Sequence, residues 1–269
     1  LSLNTKTLKT GDVFVALQGE KNHGLEFIEN AIDKGCVAVL IDGKDFNCKV
    51  PTIRIDNLKT HLSTLAQNFY TKAKDVDLIA VTGTNGKTSV SHYISQMLDF
   101  LDTDNGVIGT LGMSKTQNKS INTTPDIFSI YSTLEEYSIH GINLAIIEAS
   151  SHALIQDRLE GLSFIQGIFT NLTQDHLDYH KTMENYREAK GKLFKGNFSK
   201  RVIINRDDDN HQYFVDISSD KDPITFGIDD LEFFKSSENG FICQLKDYVF
   251  ELPLVGEFNL SNAIAAYNS

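Results

Sequence analysis

The sequence predicts an α/β fold whose larger part is built on a mostly parallel sheet, and three observations lead to this prediction. Short aliphatic segments alternate with segments whose apolar residues recur at helical spacing, as they do in α/β proteins. The aliphatic segments are apolar over nearly their whole length, which is typical of buried parallel strands. The chain has 269 residues, which is enough for two domains of ordinary size.

Residues 1–73 are predicted to form a small N-terminal α/β domain. Its strands are expected at residues 13–17, 37–41 and 52–55. A short helix is expected at residues 27–32 and should end at Gly35. A second helix should follow the Asp56-Asn57 cap signal, with these apolar residues at helical spacing: Leu58, Leu62, Leu65, Ala66 and Phe69. The polar stretch 71–75 marks the expected domain boundary.

Residues 74–269 are predicted to form a central P-loop-type domain. Its strands are expected at residues 78–82, 143–147, 164–170 and 202–204. A helix is predicted from about Lys87, with one apolar face made of Val90, Ile94, Met97, Leu98 and Leu101. Short alternating segments at residues 225–255 predict a β-rich edge, and the chain ends in a predicted helix at 260–267.

The composition is that of a globular protein, with 41% hydrophobic and 23% charged residues. It excludes disordered, collagen-like and low-complexity proteins. The longest aliphatic run, residues 37–41, is far shorter than a membrane span, so no membrane insertion is expected. Three cysteines without a CxxC pair argue against a disulfide framework and predict a cytoplasmic protein. The formal net charge of −11 argues against a nucleic-acid partner.

A phosphate-binding loop is predicted between the strand at 78–82 and the helix from Lys87. The segment 82–88 reads TGTNGKT, in which glycines let backbone N–H groups converge on anionic oxygens at a helix N-terminus. Lys87 would neutralise terminal phosphates, and Thr88 would offer a hydroxyl to Mg²⁺. Because Val81 occupies the first glycine position of the general P-loop pattern, an ordinary tight turn between strand and helix stays an alternative.

Polar residues follow the predicted strands at the carboxyl edge of the sheet, where ligands bind in open α/β proteins. They are Glu148, Asn171 with Asp175 and His176, and Asn205 with Asp207. Such carboxylate and imidazole groups beside a phosphate loop suit a magnesium site. Taken alone, Glu148 has the alternative of a solvated strand end, and His176 has the alternative of a hydrogen-bonded structural histidine. A transition-metal cluster at residues 176–180 is a further alternative, although nothing else in the sequence completes it.

Lys190 lies on a predicted apolar helix stripe, whereas Lys192 lies on the opposite side. The stripe consists of Tyr186, Ala189, Lys190, Leu193 and Phe194. Burial of a lysine lowers its pKa, and a neutral amine can react with CO₂ to form a carbamate. The alternative is a lysine whose stem packs while its ammonium reaches solvent.

The segment TGTNGKT resembles the nucleotide loop of the Mur ligases and of the related folylpolyglutamate synthetases. Three further segments resemble one Mur branch, which extends UDP-N-acetylmuramoyl-L-alanyl-D-glutamate by the third residue of the peptidoglycan stem. They are NTTP at 122–125, EASSHAL at 148–154 and TNLTQDHLDYH at 170–180. The match covers the first two domains of that family, and the third, amino-acid-binding domain is expected to lie beyond Ser269.

The resemblance implies binding residues for ATP and for two magnesium ions. The implied ATP contacts are Thr82, Gly83, Thr84, Asn85, Gly86, Lys87, Thr88, Asn259 and Asn262. The implied metal ligands are Thr88, Glu148, His176 and Lys190 as a carbamate, and the implied catalytic residues are Lys87, Glu148, His176 and Lys190. Without the resemblance, Asn259 and Asn262 could equally be helix caps.

The resemblance also implies contacts to a UDP-sugar dipeptide. In the N-terminal domain these are Leu3, Thr5, Lys6, Lys21, Asn22 and His23. In the central domain they are Asn122, Thr123, Thr124, Ser150, Gln156 and Arg158. The family usually has Asp-Ser-Arg where this chain has Asn4-Thr5-Lys6, and a lysine lacks the two-pronged hydrogen bonding of arginine. Both N-terminal segments are otherwise ordinary polar surface loops.

The implied activity is ATP-dependent amide bond formation through an acyl phosphate, with an amino acid as the second substrate. A folylpolyglutamate synthetase, a P-loop nucleotide switch and a non-catalytic nucleotide- or UDP-sugar-binding module are the alternatives. The third domain being absent, this chain alone is expected to be inactive. The sequence does not identify the amino acid, which is meso-diaminopimelate, lysine or another, nor the oligomeric state.

Overall fold

The computed structural model describes residues 1–19, 22–43, 46–116 and 122–269. These residues form three sheets, and the fold class is α/β as predicted. Within the described residues, no helix combines the length and the apolar character needed to cross a bilayer.

The N-terminal part contains a three-stranded parallel sheet in the order β1-β2-β3. The strands are β1 (Val13–Ala16), β2 (Ala38–Asp42) and β3 (Thr52–Ile55), and the helices are α1 (Ile28–Asp33) and α2 (Leu62–Phe69). As predicted, Gly35 follows α1 with a φ of +85°. Asn57 does not cap α2 through its side chain; it has a left-handed φ of 55°. The Leu58 N–H before α2 instead donates to Asp42 Oδ1 (3.3 Å), an acceptor from β2 that sequence spacing does not reveal.

The central sheet has seven described strands in the order β10-β9-β8-β4-β7-β5-β6, parallel except for β6. They are β4 (Asp77–Thr82), β5 (Gly106–Gly109), β6 (Gly112–Met113), β7 (Leu144–Glu148), β8 (Phe164–Phe169), β9 (Ser199–Asn205) and β10 (Ile224–Phe226). Strand β4 lies between β7 and β8. The chain runs from β4 to β5 on one side of β4, and later from β7 to β8 on its other side. A crevice is therefore expected at the carboxyl end of β4.

Seven helices connect and cover these strands in the described part of the chain. They are α3 (Lys87–Phe100), α4 (Ile127–Ile139), α5 (Ser151–Ile155), α6 (Leu177–His180), α7 (Met183–Gly191), α8 (His211–Ile217) and α9 (Phe258–Tyr267). On α3, Val90 and Ile94 are buried as predicted, but Met97 and Leu101 are 41% and 68% exposed. Periodicity identifies the face that turns inward, but not how far along the helix the core extends.

The predicted β-rich edge at residues 225–255 is only partly correct. Strand β10 joins the edge of the central sheet, whereas the following strands form a separate antiparallel sheet: β11 (Phe233–Ser237), β12 (Gly240–Leu245) and β13 (Tyr248–Leu252). Phe241, Cys243 and Leu245 of β12 are buried in one cluster with Leu260 and Ile264 of α9. One face of this sheet therefore packs against α9 as a separate layer. The alternation of apolar and polar residues along the sequence does not distinguish a strand of such a layer from a strand at the edge of the central sheet.

Two apolar clusters form most of the core of the central part. One contains Val90, Ile146 and Ile203 and also the apolar face of α9. The other joins residues of the N-terminal part, such as Leu58, to Tyr131 and Leu134 of α4, so the hydrophobic core is continuous across residue 73. The division into domains at residues 1–73 and 74–269 stays a proposal.

Tyr137 of α4 provides a test of this core at high pH. The side chain is 1% exposed and donates to the Ser114 carbonyl (2.6 Å), and burial raises its pKa to about 12. Because the folded state favours the neutral phenol, this stabilisation is complete below pH 10 and is lost as the pH rises towards 12. The stability difference between wild type and Tyr137→Phe should therefore fall by about 2 kcal/mol over that interval. Urea unfolding at pH 8, 10 and 11.5 measures it, and a difference independent of pH would contradict the prediction.

Candidate functional site

The phosphate loop has the backbone that the sequence predicts. Gly83 and Gly86 have φ values of +156° and +86°, and α3 begins at Lys87. A Cβ atom at Gly83 would overlap Thr170 Oγ1, and one at Gly86 would overlap Asn262 Oδ1. Both positions therefore require glycine for backbone conformation and for space.

Lys87 extends back over the loop that precedes its helix. Its Nζ donates to the carbonyl oxygens of Gly83 and Thr84, both at 2.9 Å. Burial lowers the pKa of this ammonium, while Glu148 and Asp175 oppose the shift. A partly desolvated cation at a helix N-terminus is a strong electrostatic partner for a phosphate group.

Glu148 ends β7 and is completely buried, so the alternative of a solvated strand end is wrong. Its carboxylate accepts hydrogen bonds from Thr88 Oγ1, the Thr110 N–H and Thr110 Oγ1, each at 2.9 Å. A Cβ at Gly109 would overlap Glu148 Oε1. Sequence reasoning missed Gly109 and Thr110, because it predicted no strand at residues 106–109, where the structure has β5. The apolar pair Val107-Ile108 just before them was the available signal.

Lys190 is buried at 1% exposure on the predicted stripe, so the alternative of a solvated ammonium is wrong. Its Nζ donates to the Gly83 carbonyl (2.8 Å) and lies 4.4 Å from the centre of the Tyr186 ring. Burial, reinforced by Lys87, lowers the pKa of Lys190 well below its ordinary value. Lys192 lies outside and contacts the Leu154 carbonyl (3.1 Å).

His176 lies at the edge of an aromatic cluster and is 48% exposed. Its ring lies 4.9 Å from that of His152 and 6.1 Å from that of Tyr186, and its Nε2 lies 3.5 Å from Asp175 Oδ2. His180 is buried, with Nε2 2.9 Å from Ser151 Oγ; burial and then His152 lower its pKa to about 4. In the described ranges, no three or more His, Cys, Asp or Glu side chains form a metal-binding group, which leaves the transition-metal alternative without support.

The other strand ends converge only in part. Asn171 holds the loop, because its side chain pairs with both the N–H (2.9 Å) and the carbonyl (3.0 Å) of Asn85. Asn205 Nδ2 donates to the Thr170 carbonyl (2.7 Å) behind the loop. Asp207 instead accepts from the Ile228 N–H (2.8 Å), so it serves the turn after β10.

Asn259 and Asn262 are buried within α9 and do not cap it, so that alternative is wrong. Asn262 packs against Gly86 of the phosphate loop. Asn259 accepts from the Tyr93 hydroxyl (3.2 Å) and donates to the Val255 carbonyl (2.8 Å). Asn262 thus borders the loop, and Asn259 joins α9 to α3.

Several predicted substrate residues of the central part form one hydrogen-bonded network. Arg158 donates to the Thr124 carbonyl (2.7 Å) and to Gln156 Oε1 (2.9 Å). Thr124 Oγ1 donates to the Glu148 carbonyl (2.6 Å) and lies 3.0 Å from Ser150 Oγ. Thr123 joins through its hydroxyl, which lies 3.2 Å from Thr110 Oγ1. This network therefore connects directly to Glu148.

Most of the predicted residues of the N-terminal part line a cavity of about 600 Å³. Four of them line it together with Asn122 of the central part: Leu3, Thr5, Lys6 and Asn22. His23 is absent from the described lining; its Nδ1 accepts from the Leu25 N–H (3.1 Å) and caps a 3₁₀ turn. Lys21 lies outside the described residues.

The phosphate loop follows β4, the first strand of the central sheet, and the Thr88 hydroxyl at the start of α3 donates to the buried Glu148 carboxylate. This arrangement is that of a P-loop-type nucleotide-binding protein. The chain belongs to the Mur ligase family. The profile of the Mur ligase middle domain matches residues 81–269, and that of the Mur ligase family, catalytic domain, matches residues 1–70.

Curated relatives include two UDP-N-acetylmuramoyl-L-alanyl-D-glutamate–2,6-diaminopimelate ligases. The one from Pseudomonas aeruginosa is 35% identical over 283 residues, covering 99% of this chain and 58% of the relative. The one from Bacillus licheniformis is 34% identical over 286 residues, with the same coverage. The chain thus spans well under two thirds of the length of these relatives.

Solved structures agree with this assignment. A structure of a ligase of the same name superposes with a TM-score of 0.79 at 30% identity, covering 98% of this chain and 57% of the other. The MurF ligase from Thermotoga maritima, in complex with ADP, has the same fold with a TM-score of 0.67 at 20% identity, covering 99% and 61%.

Proposed function

We propose that this chain is the nucleotide- and acceptor-binding part of an ATP-dependent amide ligase. The ligase would join an amino acid to UDP-N-acetylmuramoyl-L-alanyl-D-glutamate in peptidoglycan synthesis. The observation that carries the proposal is the hydrogen-bonded connection from the phosphate loop through Thr88 and Glu148 to Thr124 and Arg158. Nucleotide and acceptor would therefore meet at Glu148, whose carboxylate contacts Thr88 and whose main-chain carbonyl contacts Thr124.

In the proposed reaction, the acceptor carboxylate attacks the γ-phosphate of ATP, which gives an acyl phosphate and ADP. The amine of the amino acid then displaces inorganic phosphate. Lys87 would neutralise phosphate charge and the loop N–H groups would orient the phosphates, because phosphoryl transfer depends chiefly on positioning and electrostatics. Arg158 is suited to bind an acceptor carboxylate or phosphate.

The residues fit magnesium held together with nucleotide phosphates. Thr88 and Glu148 offer neighbouring oxygens (2.9 Å apart), which are the ligands that Mg²⁺ prefers when phosphates complete its shell. His176 is proposed as a ligand of a second ion, with Glu148. The ions would supply charge neutralisation at the transferred phosphate.

Lys190 is proposed to carry the carbamate. As an ammonium it cannot bind a cation, whereas a carbamate offers two oxygens beside Gly83. Its burial and the neighbouring Lys87 favour the neutral amine, which is the form that reacts with CO₂. The reaction forms an N–C bond and releases one proton from the nitrogen.

The N-terminal cavity is proposed to hold the uridine diphosphate of the acceptor. Lys6 at its rim stands where the family usually has arginine. Lys6→Arg should tighten UDP binding about threefold, because a guanidinium pairs with phosphate through two hydrogen bonds. Calorimetric titration with UDP measures this, with Lys59→Arg as a surface control. Weaker binding by Lys6→Arg would contradict the assignment of this rim to the diphosphate.

The test of the proposed function separates half-reactions. The chain is incubated with Mg-ATP and the UDP-sugar dipeptide, and hydroxylamine traps an acyl phosphate as a hydroxamate. Hydroxamate formation supports the ligase, and a folate acceptor in its place tests the folylpolyglutamate alternative. Because this chain alone is expected to be inactive, a longer version of the chain is assayed beside it. Binding of both ligands without hydroxamate in either protein would identify a non-catalytic binding module. Since the two relatives described above are named for 2,6-diaminopimelate, this amino acid is tested first for product formation.

A further inference from the structure

Tyr186 of α7 contacts the phosphate loop, Lys190 and two histidines beside the candidate nucleotide site. The side chain is 1% exposed, and its hydroxyl lies 3.2 Å from Thr84 Oγ1 of the phosphate loop. One ring neighbour is the Lys190 amino group, whose Nζ lies 4.4 Å from the ring centre. The others are the rings of His180 (4.9 Å, tilted 33°) and His176 (6.1 Å, tilted 88°).

The other hydrogen bonds of Thr84 identify which hydroxyl, that of Thr84 or that of Tyr186, is the donor. Thr84 Oγ1 lies 3.1 Å from the Thr173 carbonyl, which can only accept, so the single proton of Thr84 is used there. Thr84 Oγ1 also accepts from the Thr173 N–H (3.0 Å). Its remaining lone pair is therefore available to Tyr186, whose phenol is the donor.

Two consecutive residues of the loop are thus held from one helix. Lys190 donates to the Gly83 carbonyl (2.8 Å) and Tyr186 donates to Thr84, and these two side chains are four residues apart on the same face of α7. Displacement of α7 would therefore move the loop, and the reverse also holds.

We infer that Tyr186 is a positioning residue, which sets the phosphate loop relative to Lys190 and His176. This inference rests on the proposed function, because the positioned groups are those proposed to bind nucleotide and metal. Tyr186 acts through Thr84 and through its ring contacts.

The test compares Tyr186→Phe with Tyr137→Phe. Both tyrosines are 1% exposed and lie on helices, but the Tyr137 hydroxyl donates to Ser114, away from the loop. Tyr186→Phe should weaken Mg-ADP binding about three- to tenfold in calorimetry, the value of one lost hydrogen bond. It should also shift the amide resonances of Gly83, Thr84 and Gly86 before nucleotide is added. Tyr137→Phe should do neither.

A double-mutant cycle with Thr84→Val completes the test. Thr84→Val removes the hydrogen bond to Tyr186 together with two hydrogen bonds to Thr173. The double variant should therefore bind Mg-ADP as weakly as Thr84→Val alone, and no more weakly. Thr84→Val also tests this bond from the loop side if Tyr186→Phe does not fold. Additive effects, or loop resonances in Tyr186→Phe that match wild type, would overturn the inference. Absence of nucleotide binding by wild type would refute the proposed function, while the resonance shifts would still decide the role of Tyr186.

Discussion

Replacing Lys87 by methionine is expected to weaken Mg-ATP binding at least tenfold. Methionine keeps the packing of the stem but removes an ammonium that lies over the carbonyls of Gly83 and Thr84. Loss of a charge-assisted contact to phosphate costs more than about 1.4 kcal/mol, which is a factor of ten in affinity. Isothermal titration with Mg-ATP measures the change.

Lys192→Met is the matched control, since this lysine lies at the end of α7 and points away from the loop towards the Leu154 carbonyl. It should bind Mg-ATP as wild type does. An unchanged affinity in Lys87→Met would refute the assignment of the loop to nucleotide phosphates, provided that the thermal unfolding of the variant shows it to be folded.

Replacing Lys190 by methionine is expected to abolish a carbamate signal. Native protein incubated with ¹³C-bicarbonate at slightly alkaline pH should give one protected carbamate carbonyl resonance. The expectation follows from the burial of Lys190, which favours the neutral amine, and from its position beside Gly83. Added Mg²⁺ should increase the signal, because a buried carbamate needs a compensating positive charge.

Two controls make this result specific to Lys190. Lys192→Met should keep the resonance, and acid treatment should remove it from wild type, because carbamates hydrolyse in acid. A resonance that persists in Lys190→Met would assign the modification to another amine. No resonance in wild type, with and without Mg²⁺, would refute the carbamate.

Lys87 and Lys190 both donate to the Gly83 carbonyl, so two amino groups meet at one oxygen. The charge of Lys87, added to burial, lowers the pKa of Lys190 and favours its neutral amine. A carbamate on Lys190 would place a negative charge beside the Lys87 ammonium. The loop would then combine one cation for the phosphates with one anion for the metal.

The phosphate loop could be predicted from the sequence because its determinants are local. A strand, two glycines with positive φ and a lysine at the helix start lie within residues 77–88, and each has a backbone reason to be there. The stripe that buries Lys190 was also predictable, since helical periodicity alone puts it beside Tyr186 and Phe194.

The partners of these residues could not be predicted in the same way. Glu148 contacts Thr110, 38 positions away, because β5 and β7 are neighbours in the sheet. The separate sheet at β11–β13 and the exposed end of α3 likewise depend on what packs against them. Local pattern specifies which side of an element is apolar, and only the neighbouring layer specifies whether that side is covered.

By itself, the sequence determined the α/β class, three of the strands that carry the site (β4, β7 and β8), the loop at 82–88 and the inward face of α7. The tertiary structure alone decided that Lys190 reaches the Gly83 carbonyl across 107 positions, that Tyr186 donates to Thr84, and that Asn262 borders Gly86. The physical reason is that hydrogen bonds and close approaches depend on distances of a few ångströms between elements. Such distances are set by strand order and helix packing, which residue spacing along the chain does not encode.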